Sequence, residues 1–290
     1  MSAPATTRIL VLGASGMLGN AVLRLFSQGD RYTVFGSARS TAVLNFLPSE
    51  LHKNIICGVD AENIDSVTSL FARVVPDVVI NCVGLVKQFE EAKDPLSAIP
   101  INSLMPHRVA RLCQLAGARF LHISTDCVFT GTKGMYREED DADAQDIYGR
   151  TKHLGEVDYP HAVTLRTSII GHELNSAHGL VGWFLAQHGA VKGFTRAIFS
   201  GLPTIELARV IRDHVLPSPE MCGLYHVSAA PISKYELLRL IASTYGRTKD
   251  IIEDNKLVID RSLDSTRFRQ FTGYTPPTWP ELIKAMHAFG

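Results

Sequence analysis

The chain has 290 residues, 46% hydrophobic and 20% charged, the balance of a soluble globular protein with a core large enough for one large domain or two modest ones. Its 29 basic and 29 acidic residues cancel, so nothing in the charge points to nucleic acid or to an anionic membrane surface. No apolar run approaches the roughly 20 residues needed to cross a bilayer, and Met1 to Thr7 lack a signal-peptide core. Five cysteines (Cys57, Cys82, Cys113, Cys127, Cys222) are odd in number and have no metal-type spacing. They read as reduced thiols, no metal is expected, and the location expected is cytoplasmic.

The first apolar run, Arg8-Ile9-Leu10-Val11-Leu12, reads as a buried strand. It leads into Gly13-Ala14-Ser15-Gly16-Met17-Leu18-Gly19 and then a helix over 20–26, closing at Gly29. Strand, glycine turn and helix in that order make a dinucleotide site, because the glycines allow close backbone approach and the helix start offers unpaired N–H groups to a pyrophosphate. The spacing is G-x-x-G-x-x-G, not G-x-G-x-x-G. The second strand, 32–36, is followed by no acid between Arg31 and Ser49 to hold a ribose 2′-hydroxyl. Ser37, Arg39 and Ser40 stand there instead; a guanidinium and two hydroxyls suit a 2′-phosphate, so NADP(H) is expected, with NAD(H) the alternative.

A third strand over 54–60 ends in Asp60, placed to accept from the adenine amine. Residues 64–75 read as a helix. The fourth strand, 77–84, carries Asn81, Val83 and Gly84 to the cofactor, Gly84 again allowing close approach. A long helix over 95–116 is interrupted by Pro100 and Pro106 and holds Asn102, a polar residue that needs a partner if it faces the sheet. The fifth strand, Phe120-Leu121-His122-Ile123, delivers Ser124 and Thr125. Strands alternating with helices over this length predict an α/β fold, a doubly wound parallel sheet of the Rossmann kind. The acidic run Glu138-Glu139-Asp140-Asp141 reads as a solvated face.

Tyr148 and Lys152 follow, four residues apart and so on one face of a helix. A phenol near pKa 10 is a poor acid at neutral pH; an adjacent ammonium favours its ionised form and makes it usable as a general acid or base. A hydroxyl from Thr125 or Ser124 could bond the same substrate oxygen. Tyr-x-x-x-Lys alone occurs by chance on exposed helices; here it follows a dinucleotide pattern.

Residues 162–170 read as a sixth strand. Beyond it a helix is expected over 179–188, and Thr204 is expected to cap a helix over 205–215. A short strand at 225–228, a helix over 234–245 capped by Ser233, a strand at 256–260 and a last helix over 279–289 complete the chain. The division expected is a dinucleotide-binding domain over 1–170 and a smaller α/β substrate lobe over 171–290, with segments returning to the first.

The glycine turn, Ser124-Thr125-Asp126-Cys127-Val128-Phe129, Tyr148-Gly149-Arg150-Thr151-Lys152 with Gly155-Glu156, Leu165-Arg166-Thr167-Ser168 and Gly201-Leu202-Pro203-Thr204 occur in one order. With them the chain resembles the extended short-chain dehydrogenases/reductases, and within these the dTDP-4-dehydrorhamnose reductase (RmlD-like) group of nucleotide-sugar enzymes. The resemblance implies that Tyr148 protonates a substrate carbonyl, that Lys152 binds the nicotinamide ribose and tunes Tyr148, and that Thr125 orients the carbonyl. Gly13, Gly16 and Gly19 would cradle the pyrophosphate. The cofactor set expected is Gly13, Ser15, Gly16, Met17, Leu18, Gly19, Ser37, Arg39, Ser40, Asp60, Asn81, Val83, Gly84, Asn102, Tyr148 and Lys152. The substrate set is Lys87, Thr125, Asp126, Cys127, Trp183 and Arg196.

Members of the group often carry Tyr where Cys127 stands, and the loop Leu85-Val86-Lys87-Gln88-Phe89 also departs from the rhamnose-pathway pattern, which leaves the sugar open. The expected reaction is NADPH-dependent reduction of the 4-keto group of a nucleotide-activated deoxysugar, by an oxidoreductase acting on a CH–OH group, in a protein that pairs as a homodimer. The alternatives are an epimerase or epimerase/reductase of the same substrates, and a catalytically silent regulatory subunit of the same fold. A dehydratase is disfavoured because the Asp-Glu pair that dehydratases place after the threonine is here Asp126-Cys127.

Overall fold

The structure, a computed structural model, describes residues 6–87, 90–248 and 250–290. The readings of the amino-terminus over Met1 to Ala5 and of the loop residues Gln88 and Phe89 lie outside the described residues.

Strand β1 (Thr7–Leu12) is buried along its last four positions and turns through Gly13 into helix α1 (Met17–Phe26). Strand β2 (Tyr32–Ala38), strand β3 (Ile55–Cys57), helix α2 (Ile64–Val74) and strand β4 (Val78–Asn81) follow. Asn63 caps α2 by accepting from the N–H groups of Asp65 and Ser66. The long helix is continuous through its prolines: α3 (Pro95–Ala98) passes through a widened π turn, Ile99–Leu104, into α4 (Met105–Ala116). Widened turns accommodate the N–H that a proline lacks, and this one carries Asn102 and Ser103 inward, both buried. Strand β5 (Arg119–Thr125) and helix α5 (Ile147–Leu154) complete the part that holds the Tyr/Lys pair.

The sixth strand breaks at Ser168 into β6 (Ala162–Thr167) and β7 (Ile169–Ile170). After them come α6 (Leu180–Ala186), β8 (Val191–Phe194), β9 (Ala197–Phe199), β10 (Leu202–Pro203) and α7 (Thr204–Val210). Thr204 is the first helical residue and not the cap: Pro203, at φ −57°, occupies that position, and no side chain caps the helix. Then come β11 (Gly223–His226), β12 (Ile232–Ser233), α8 (Lys234–Thr244), β13 (Ile251–Asp254), β14 (Ile259–Asp260), α9 (Thr266–Thr272) and α10 (Trp279–Phe289). Ser233 caps α8 in a capping box with Glu236, as its sequence predicts. The strand expected at 256–260 shrinks to its last two residues, because Asp254 accepts from the Lys256 N–H at 2.9 Å and turns the chain there.

The seven-stranded sheet has the order β11-β6-β5-β4-β1-β2-β3. The β1–β2, β2–β3, β1–β4 and β4–β5 pairings are all parallel. The doubly wound α/β fold expected from the sequence is therefore present. Its strand order reverses between β1 and β4, where ligands bind such sheets beyond the carboxyl ends of the strands.

By compactness the chain forms two units. The first comprises the residues up to Ser124, Asp146–Thr164 and Glu220–Leu224; the second comprises Thr125–Gln145, Leu165–Pro219 and Tyr225–Gly290. In the first, Leu10, Leu12, Leu70, Phe71, Val79, Val109 and Phe120 pack as one core. In the second, Val128, Phe129, Tyr136 and Leu263 form a small cluster, with the Phe129 and Tyr136 rings stacked at 4.1 Å. The Tyr136 hydroxyl accepts from the backbone N–H groups of Gly131, Thr132 and Lys133 at 3.0–3.1 Å. Burial pushes this phenol up, but the donors around it outweigh that and its pKa lies below the ordinary tyrosine value.

In the first unit α5 ends against the widened turn. A Cβ on Gly155 would run into the Asn102 carbonyl oxygen. Gly155→Ala should therefore force the two segments apart and cost about 1–3 kcal/mol, as overpacking usually does. Denaturant unfolding measures it, and an unchanged midpoint would show that the crossing relaxes freely.

Candidate active site

The glycine turn is tightly closed and bare of side chains at its glycines. Gly13 sits at φ +79°, and the Gly16 N–H donates to the Gly13 carbonyl at 3.0 Å to close the turn. Gly16 is the N-cap of α1, with no side-chain cap at the helix start. A Cβ on Gly19 would collide with the Gly13 carbonyl, so this glycine lets helix and turn pack together. Ser37 lies at the end of β2; its Oγ accepts from the Gly13 N–H at 3.2 Å, and its carbonyl accepts from Ala14 at 2.9 Å.

Gly13, Ser15, Gly16, Ser37, Arg39, Asp60, Val83 and Gly84, drawn from the ends of β1, β2, β3 and β4, line one cleft in the first unit. Its remaining wall is largely apolar, with Val59, Val67, Ile101 and Met105. Glu62 also lines it and is absent from the expected set, because no sequence pattern distinguishes it from a solvated loop acid. The other residues expected at the cofactor are not part of the cleft's lining. Met17, Leu18 and Gly19 form the first turn of α1, the last two buried. Ser40 is exposed and accepts from the Ala42 N–H at 3.1 Å, capping the short turn Thr41–Phe46.

Asn81 and Asn102 brace the wall that carries Val83 and Gly84. The Asn81 Oδ1 accepts from the Val83 N–H at 3.0 Å, and its amide nitrogen lies 3.1 Å from His122 Nδ1. That amide therefore donates, which makes Nδ1 the acceptor and puts the His122 proton on Nε2, as assigned from the network. Burial, and then Lys152, hold the His122 pKa well below its ordinary range, so the imidazole is neutral. Asn102 accepts from the Leu85 N–H at 3.0 Å and donates to Thr151 Oγ1 at 3.3 Å. The partner this buried amide requires is thus found.

Helix α5 begins at Asp146, whose side chain accepts from the Gly149 N–H at 2.8 Å. Lys87 pairs with Asp146 at 2.6 Å, both side chains over a third exposed; such a pair adds little stability. Tyr148 is half-buried. Lys152 is 5% exposed, and its Nζ donates to the Ile123 carbonyl at 2.8 Å. A Cβ on Gly84 would lie 3.7 Å from that Nζ, so the ammonium faces the wall of the cleft. Burial lowers its pKa to about 8, against an upward pull from Glu156.

Ser124 and Thr125 point to opposite faces of β5. The Ser124 hydroxyl donates to Glu156 Oε1 at 2.6 Å. In the second unit the Thr125 hydroxyl accepts from the Cys127 N–H and donates to Asp126 Oδ1, each at 3.1 Å. Burial pushes the Asp126 carboxyl up, Arg261 partly opposing it. Arg261 also donates to the Phe129 carbonyl at 2.7 Å, with an Nη1 3.8 Å from Cys127 Sγ. Trp183 on α6 is 40% exposed, and Arg196 stands in the turn between β8 and β9.

The RmlD substrate binding domain family model matches residues 7–287. The chain is 34% identical to the probable low-salt glycan biosynthesis reductase Agl14 of Haloferax volcanii, over 96% of each chain. It is 31% identical to methionine adenosyltransferase 2 subunit beta of Mus musculus, over 82% of this chain and 72% of that one. Its fold matches a crystal structure of dTDP-4-dehydrorhamnose reductase from Bacillus anthracis in complex with NADP, with a TM-score of 0.82, 21% identity and 100% of both chains covered. The resemblance read from the glycine turn, the Ser124–Phe129 stretch and the Tyr/Lys helix is borne out: the chain belongs to the RmlD substrate-binding-domain family.

Proposed function

We propose that the protein is an NADPH-dependent reductase of the 4-keto group of a nucleotide-activated deoxysugar. The observation that carries this reading is the buried Lys152 ammonium, one helical turn from Tyr148 and facing the Gly84 wall of a glycine-cradled cleft. The glycine turn and the bare start of α1 fit a pyrophosphate, and Arg39 in the cleft fits a 2′-phosphate. A nicotinamide held by these residues would supply the hydride that the carbonyl carbon needs. Tyr148 gives its proton to the carbonyl oxygen, which becomes the hydroxyl of the product, and Lys152 favours the phenolate that remains. Thr125 is the orienting hydroxyl in this reading, as the family resemblance implies, and it would exchange its bond to Asp126 for one to the substrate; the Ser124 hydroxyl is held by Glu156. Lys87, Asp126, Cys127, Trp183 and Arg196 are proposed substrate contacts.

We place the protein in the cytoplasm, supported by five cysteines none of which is joined in a disulfide among the described residues. Among the described residues no helix is long and apolar enough to cross a membrane. A homodimer is part of the reading, since Leu96 on α3, Ile99 and Leu104 in the widened turn and Leu154 on α5 are exposed. Sedimentation at twice the chain mass is expected; a monomer at working concentration removes this part.

A second reading, a catalytically silent regulatory subunit, is favoured by the likeness to methionine adenosyltransferase 2 subunit beta. Turnover separates the two. With a panel of 4-keto nucleotide sugars, one NADPH should be consumed per sugar converted. Tyr148→Phe should lower the rate by roughly 10² to 10⁴ with cofactor affinity nearly unchanged. Product formed without net NADPH oxidation would point to an epimerase, and no turnover of any substrate would favour the regulatory subunit.

Cofactor choice gives an independent check on Arg39. NADPH should give a higher kcat/KM than NADH, and Arg39→Ala should narrow the gap, chiefly by weakening NADPH binding. Equal use of both cofactors by the unaltered protein would sink the assignment of Arg39.

A further inference from the structure

A buried ammonium needs a compensating charge. The ionisable groups beside Lys152 or beside its neighbour His122 come from four elements: Cys82 just beyond β4, His107 on α4, His122 itself on β5, and Tyr148 and Glu156 on and just beyond α5. Cys82 carries no charge at neutral pH, because burial pushes its thiol up to about 12. His122 is neutral, and His107 acts on it in the same downward direction as Lys152. Of the five groups Glu156 alone is a carboxylate, and its effect on Lys152 favours the cation.

The carboxylate is held at both ends. Oε1 accepts from the Ser124 hydroxyl at 2.6 Å, a length characteristic of a charge-assisted bond. Oε2 lies 3.0 Å from His153 Nδ1, and the Glu156 side chain is 10% exposed. Ser124 is itself buried, so that bond is sheltered from water. Glu156 lies four residues beyond Lys152, as Lys152 lies four beyond Tyr148. The chain stays near helical dihedrals through Gly155, at φ −90° and ψ −2°, which keeps the third member close to the face of the other two.

We propose that Glu156 is a positioning residue for the active-site lysine: Ser124 and His153 hold its two oxygens, and its carboxylate keeps the Lys152 ammonium charged and facing the cofactor wall. Ser124 then serves the cation and not the substrate. The role of Lys152 in catalysis rests on the reductase reading above; the charge balance does not. Without the carboxylate, the effect opposing burial is lost. Lys152 then gives up its proton at lower pH, and Tyr148 loses its cationic neighbour sooner as pH rises.

The test is a titration of the full-length protein labelled with ¹³C at the lysine ε-carbons, with the Lys152 resonance assigned by its loss in Lys152→Met. Glu156→Gln preserves shape and can still accept from Ser124. It should lower the Lys152 midpoint by about one pH unit or more, as removal of a close opposite charge does. Glu156→Asp should restore part of the shift. Where turnover is measurable, the alkaline limb of kcat/KM should move to lower pH by the same amount. A midpoint unchanged from the parent in folded Glu156→Gln overturns the proposal. If Glu156→Gln does not fold, Ser124→Ala, which releases one carboxylate oxygen, should give a smaller downward shift, and an unmoved midpoint there overturns it equally. A shifted midpoint in a protein that reduces no sugar upholds the positioning role and rejects the reductase reading. An unmoved midpoint in an active reductase does the reverse.

Discussion

The first unit is arranged around a cation taken out of water. An ammonium as buried as Lys152 is tolerated only where polar groups replace its solvent, and here they come from two parts of the chain. The carbonyl of Ile123 arrives on β5 and the carboxylate of Glu156 lies just past the end of α5, while the ammonium faces the wall at Gly84. Each of these depends on something further back. Gly155 lets α5 press against the widened turn; Asn102 in that turn holds both Leu85 and Thr151; Asn81 holds Val83. The two buried amides brace the wall of the cleft without lining it. Such satisfied polar networks specify one arrangement more sharply than apolar packing does, because any other leaves a donor or acceptor unpaired.

Much of this is legible in the sequence wherever a residue type answers a local physical demand. The glycine turn, the short apolar strands and the capping box at Ser233 each follow from sterics or from N–H groups that need partners, and all three are where the sequence places them. The polar Asn102 announces a partner, and it has two. What is not legible is which of several available partners or positions a polar side chain takes. Ser40 has the composition of a phosphate ligand, and its hydroxyl also accepts from the Ala42 N–H. The Thr204 hydroxyl has the composition of a cap, but Pro203 takes that position. Glu156 stands in a family motif with no role attached; the repeated spacing of four from Tyr148 through Lys152 is the available signal. The α9 helix, with arginines and threonines around its phenylalanines, carries too weak an apolar period to be seen.

The second unit shows how a single substitution in a motif redirects its neighbourhood. Thr125, Asp126 and Cys127 share one small turn closed by the threonine hydroxyl. Cys127 brings a thiol within 3.8 Å of Arg261, which also holds the Phe129 carbonyl. Asp126 is buried, with its carboxyl pushed toward the neutral form. A second carboxylate at position 127 would have had to share this buried turn with Asp126.

The loop that follows takes its shape from a phenol. Three successive backbone N–H groups, of Gly131, Thr132 and Lys133, converge on the Tyr136 oxygen. Such a ring of amides commonly receives an anion from outside the chain; here the chain supplies its own occupant. Replacing tyrosine by phenylalanine therefore means opposite things at two positions of this protein. At Tyr148 it removes the hydroxyl of a half-buried ring, the proton donor of the proposed reaction. At Tyr136 it deletes an acceptor and strands three donors, each of which costs about 1–3 kcal/mol where water cannot reach it. An inactive Tyr136 variant would thus report a collapsed loop, and would say nothing of a second acid in the reaction.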